Sequence, residues 1–174
     1  TNGKELLNKV DVKPSVEEVR ACKILADALW VNWMKKVPNP TLDVLPHTDA
    51  LGGALKKLTG KPARIASDVC GPLERYGLIT MIHSFQRFSR DQAVGVLKEC
   101  REILTPEGVV FIRMPDHDVK GFERDLTSNH FEVATCFWSL DAFLELLWEN
   151  PIFTIAETYP IEPGQRDYLL RPIS

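Results

Sequence analysis

Glycine is missing from an unbroken stretch, residues 4–51, which removes from that stretch the residue that most readily adopts tight left-handed backbone. No apolar run comes near the ~20 residues that a membrane-spanning helix requires; Leu78–Ile82 is typical of the longest ones. The opening residues Thr1-Asn2-Gly3-Lys4-Glu5 are polar and lack the apolar core of a secretory signal. Basic residues cluster no further than pairs such as Lys35-Lys36 and Lys56-Lys57, so neither a nucleic-acid footprint nor a membrane-binding surface is expected. Cys22, Cys70, Cys100 and Cys136 form no C-x-x-C pair, and they read as reduced, buried thiols of a cytoplasmic protein, with metal or disulfide use as the alternative.

What remains describes an ordinary packed domain. The chain has 174 residues, 44% hydrophobic and 26% charged, with a net charge of −3; that length supports one sizeable core and that composition excludes wholesale disorder. Residues 1–40 read as a polar tail and a covering helix, and 41–174 as one α/β domain.

A helix is predicted from Ser15, because Ser15 and Glu18 stand at capping-box spacing. Val19, Ala26, Leu29, Trp30, Trp33 and Val37 recur near helical period until Pro38. Thr41–Leu45 reads as a buried strand. A helix follows, with Thr48 or Asp49 as its cap, Leu51, Ala54, Leu55 and Leu58 as its apolar face and Gly60 as its stop. Ala63–Val69 continues the strand–helix alternation. Gly77–His83 and Val109–Met114 are nearly continuous apolar strands, as parallel sheets covered on both faces require. Between them Ser89 and Gln92 open a helix that ends near Leu104. Ser139 caps a last helix, and Ile152–Tyr159 and Arg166–Ile173 form a hairpin across Glu162-Pro163-Gly164-Gln165. The expected fold class is a three-layer α/β sandwich, Rossmann-like, with a mostly parallel sheet and a C-terminal antiparallel hairpin.

Two stretches carry a family resemblance. Leu97–Leu104, Thr105-Pro106-Glu107-Gly108 and Val109–Ile112 resemble the helix, turn and strand of class I S-adenosylmethionine-dependent methyltransferases. Arg75–Phe85 resembles that family's fourth strand, with Gly77 where an Asp is common, and Phe137–Leu144 with the closing hairpin is similar to its last elements. The resemblance runs from Thr41 to the end of the chain. It implies a cofactor loop at Leu42-Asp43-Val44-Leu45-Pro46-His47-Thr48-Asp49, where the family has Leu-Asp-x-Gly-x-Gly-x-Gly. Leu and Asp are kept, but Leu45, His47 and Asp49 replace the three glycines. Side chains there oppose the close backbone approach to S-adenosylmethionine, and Asp49 repels its carboxylate. The family's ribose-binding acid corresponds to Asp68 if Ala63–Val69 is the second strand. If that segment is the third strand, Asp43 takes the ribose and Asp68 lies near the adenine. Both registers stay open.

His83 follows the fourth strand, and Asp116-His117-Asp118 follows the fifth on the same edge. An imidazole there can take a proton near neutral pH, and flanking carboxylates raise its basicity; His83, Asp116 and His117 are the catalytic candidates. The competing reading makes His83 a structural hydrogen-bond donor and Asp116–Asp118 a solvated turn. His47 and Asp49 could join Asp116 or His117 around a divalent ion, but no pair has the i, i+4 spacing of a helical metal motif, and no metal is expected. Trp30, Trp33, Trp138 and Trp148 read as core or interface residues, with a homodimer among the expectations. Two functions remain: a degenerate methyltransferase-like module that binds a small molecule or a protein partner, and an active methyltransferase on a small-molecule substrate.

Overall fold

The computed structural model describes residues 6–7, 13–29, 31–32, 40–46, 48–60, 63–66, 75–122 and 136–173. Its strands are β1 (Leu6–Leu7), β2 (Thr41–Val44), β3 (Arg64–Ala66), β4 (Tyr76–Ile82), β5 (Leu104–Pro115), β6 (Phe153–Ile161) and β7 (Gln165–Pro172). Its helices are α1 (Val16–Leu29), α2 (Ala50–Thr59), α3 (Arg90–Ile103) and α4 (Leu140–Glu149). One seven-stranded sheet runs β1-β3-β2-β4-β5-β7-β6. The central pairs β3–β2, β2–β4 and β4–β5 are parallel, whereas β5–β7 and β7–β6 are antiparallel. The predicted α/β sandwich with a closing hairpin is therefore the observed fold.

Alternation along the strands divides the core into two layers. Val110, Ile112 and Met114 of β5 join Ala93, Leu97 and Cys100 of α3 and Phe143 and Leu146 of α4. Val109 and Phe111 face the other way, onto Leu25, Ala26 and Leu29 of α1 and Leu51 and Leu55 of α2. Within the first layer Phe143 packs edge-on against Phe85 at 5.5 Å, Trp138 at 6.1 Å and Tyr168 at 4.6 Å. Trp138 is thus core, as expected, while Trp148 is 87% exposed; Trp30 and Trp33 lie outside the described residues. Cys22 and Cys100 are buried free thiols and Cys136 is a half-buried one; Cys70 lies outside the described residues.

The helix starts follow their caps. Ser89 Oγ accepts from Gln92 N while Gln92 Oε1 accepts from Ser89 N, the reciprocal box read from sequence. Ser15 Oγ accepts from Glu18 N at 3.1 Å and Ser139 Oγ from Ala142 N at 3.2 Å. Two expected faces shift. Val19 is exposed and Cys22 and Leu25 turn inward on α1, and Leu58 is exposed on α2. A helix crossing two neighbours at once rotates to the face that buries most, which spacing alone does not fix.

The strand register left open by the sequence is resolved by pairing. Leu42 lies opposite Arg64 and Val44 opposite Ala66, parallel, on the side of β2 away from β4, so this segment takes the second-strand position. The outer place, where a third family strand is expected, is held by Leu6–Leu7, antiparallel to Ile65–Ala66. Part of the N-terminal tail therefore docks as an edge strand.

Gly164 fixes the far end of the sheet. Its φ is 62°, and a Cβ there would meet Phe122 Cα at 2.5 Å. Its carbonyl accepts from Asp116 N at 2.8 Å, and its N–H donates to Lys120 O at 2.9 Å. Gly164→Ala is expected to cost about 1–3 kcal/mol from strain and overpacking, read as a lower urea midpoint with an unchanged slope.

Candidate functional site

The sheet reverses its winding between β2 and β4, because β2 connects onward to β3 on one side while β4 lies on the other. In open α/β sheets ligands occupy the crevice beyond the carboxyl ends of the strands at such a point. Two non-glycine residues at this crevice have left-handed backbone: Leu45 after β2, with φ 50°, and His83 after β4, with φ 57°. Each L-residue pays roughly 1–2 kcal/mol for that conformation, and such strain gathers at functional positions. The loop thus keeps a glycine-like turn at Leu45 while carrying a side chain, which packs, half-buried, against the core under α3 and α4.

Asp43 lies between Leu42 and Val44, which face that same core, so it points to the opposite face of the sheet, and it is 2% exposed. Thr80 Oγ1 donates to Asp43 Oδ1 at 2.8 Å from the neighbouring strand. Burial pushes the Asp43 carboxyl up to about 7, against a smaller lowering by the Thr80 hydrogen bond. Above Asp43, Thr48 Oγ1 donates to Glu18 Oε1 at 2.9 Å and accepts from Ala50 N at 3.3 Å. Thr48 thereby satisfies the start of α2, while Asp49, exposed at the N-cap position, makes no side-chain cap bond. Burial, followed by the charge of Glu18, raises the Cys22 thiol to about 11. Glu18, Cys22, Asp43, Thr48, Ile82 and His83 enclose a cavity of about 20 Å³, enough for about one water. A nucleoside-sized ligand occupies a pocket of about 300–1,000 Å³. The cavity that the described residues line at Asp43 is smaller than that.

The β7 strand supplies polar partners to the rest of the edge. His83 Nε2 lies 2.7 Å from Gln165 Oε1, so with the amide oxygen accepting, the Nε2–H tautomer donates. His83 N donates to Arg113 O at 2.7 Å, and its carbonyl accepts from Gln86 Nε2 at 2.8 Å. Asp116 is fully buried; its Oδ2 accepts from Arg166 Nε at 2.9 Å and its Oδ1 from Asp118 N at 2.8 Å. His117 is exposed and lies 3.3 Å from Asp118 Oδ1. Ligand atoms of Asp116, His117 and Asp118 lie within 4.8 Å of one another, yet Asp116 is already engaged by Arg166 and the turn. Arg113 pairs bidentately with Asp167 at 2.7 and 2.9 Å.

Of the sequence candidates, His83, Asp116 and His117 do share one edge, with Asp43 on the adjoining strand β2 and Leu45 and Asp49 in the loop that follows it. His47 and Asp68 lie outside the described residues. Sequence reasoning missed Thr80, Gln165 and Arg166, which hold Asp43, His83 and Asp116. Only strand pairing across distant segments reveals those contacts, although a run of three polar residues, Gln165-Arg166-Asp167, ahead of the apolar Tyr168-Leu169-Leu170 is a visible signal.

No protein-family model matches the chain, and no curated protein is significantly similar to it. Solved structures are. Mitomycin 7-O-methyltransferase MmcR superposes with a TM-score of 0.61 at 13% identity, over 89% of this chain and 54% of that one. An S-adenosylmethionine-dependent methyltransferase from Clostridium acetobutylicum gives 0.58 at 12%, over 94% of each. The glycopeptide N-methyltransferase MtfA, solved with S-adenosylmethionine, gives 0.57 at 10%, over 87% of each. The chain thus spans about half of MmcR and nearly all of the Clostridium protein. These superpositions show the class I methyltransferase fold, with Leu6–Leu7 in the outer place of the sheet.

Proposed function

We propose that this is a methyltransferase-fold module that does not bind S-adenosylmethionine in the family's manner and serves as a binding or assembly module. The observation that carries the reading is Leu45, whose backbone makes the left-handed turn of the cofactor loop with a side chain in place of hydrogen. Asp43 supports it: buried against Thr80, with a carboxyl that titrates near neutrality, it is ill placed to accept bonds from a ribose or an ammonium group. Fold alone does not confer a reaction.

Calorimetric titration with S-adenosylmethionine and S-adenosylhomocysteine is expected to give no saturable heat and no thermal shift. Micromolar binding that Asp43→Ala abolishes overturns the reading. In that event the second reading stands, an active methyltransferase on a small molecule, favoured by the strained His83 at the switch point. Methyl transfer needs chiefly alignment of the sulfonium methyl with a nucleophile, and His83 or His117 would then act beside the substrate.

A further inference from the structure

On the face of the sheet covered by α1, a second cleft lies between the end of α1 and the β6–β7 hairpin, with a volume of about 130 Å³. Its floor is apolar: Leu29, Phe111 and Leu169 are each less than a tenth exposed. Its rim is not. Glu157 and Tyr159 stand two apart on β6, opposite Leu169 and Asp167 in the hairpin register, and so project to one face.

The charges at this cleft do not cancel. Asp167 is neutralised by the bidentate Arg113 beneath it, which leaves Glu157 as the charge without an ion-pair partner among the described lining residues. No basic side chain is among the described lining residues. A carboxylate and a phenol ring around an apolar floor match a cation carried on a short hydrocarbon, which satisfies the charge at the rim, the ring face by cation–π attraction and the floor by burial. A cavity of about 150 Å³ accommodates benzene, so this one suits about four carbons and a charged nitrogen.

We infer that the cleft between α1 and the β6–β7 hairpin is a binding site for a primary alkylammonium group, held by Glu157 and Tyr159 over Phe111 and Leu169.

The test is a ¹H–¹⁵N NMR titration of the intact chain with n-butylammonium chloride at constant ionic strength, with n-butanol as the uncharged probe. Saturable shifts at the amides of Glu157, Tyr159 and Leu169 are expected, with affinity at least tenfold weaker for n-butanol. Glu157→Gln is expected to weaken n-butylammonium at least tenfold, and Tyr159→Ala severalfold, with thermal midpoints unchanged because both side chains are exposed. An Nα-acetyl-lysine amide that binds as well as n-butylammonium identifies a lysine side chain as the source of the group. Binding of n-butylammonium alone identifies a free amine. Equal binding of n-butanol, unaltered affinity in Glu157→Gln, or the absence of saturable shifts overturns the proposal. None of these outcomes depends on whether the carboxyl edge binds S-adenosylmethionine.

Discussion

Asp43→Asn is expected to raise the unfolding free energy at pH 8 by up to about 4 kcal/mol and to leave it unchanged near pH 3.5. Burial pushes the Asp43 carboxyl up to about 7 in the folded chain, from its ordinary value of 3.8. The folded state therefore holds its proton more tightly than the unfolded one. Stability from this group is fully present below pH 3.8, declines as pH rises towards 7 and then levels off. Asparagine keeps an Oδ1 that accepts from Thr80 but never ionises, so it avoids the whole decline. Urea unfolding of both proteins at several pH values checks this: the difference between their curves should grow across that window, with equal slopes. A difference that does not vary with pH contradicts it.

Asp116→Ala is expected to destabilise the fold by about 3–5 kcal/mol, the cost of leaving one member of a buried ion pair alone. Asp116 is fully buried and the Arg166 side chain only 15% exposed. The substitution also removes the acceptor for Asp118 N and loosens the turn that carries His117. Replacing both Asp116 and Arg166 by leucine should recover most of the loss, because the uncompensated guanidinium goes with its partner. Urea midpoints for the single and double variants measure both effects. A stability-neutral Asp116→Ala would mean that this carboxylate is free for proton transfer rather than fixed as a structural anchor.

The fold was legible where residues report on their own neighbourhood. The capping box at Ser89 and Gln92, the cap at Ser139 and the apolar strands around Leu78 and Val109 are local patterns, and each produced the element expected of it. Partnership across the sheet was not legible. The place of Arg64–Ala66 beside β2, and of Leu6–Leu7 outside it, depends on pairing between segments far apart in sequence. At the site, the loss of glycine was visible at once, but its consequence was not: one reads Leu45 as an obstacle, whereas the backbone also keeps the left-handed turn. Likewise the motif marks Asp43 but not its buried hydrogen bond from Thr80, which depends on the pairing of β2 with β4.

Growing crystals with a large excess of S-adenosylhomocysteine tests the central claim most directly. The account predicts no nucleoside density along the turn at Leu45 and Pro46, with Asp43 still accepting from Thr80. Adenosine and homocysteine density lying against Leu45, with Asp43 or the segment after β3 contacting the ribose, contradicts it.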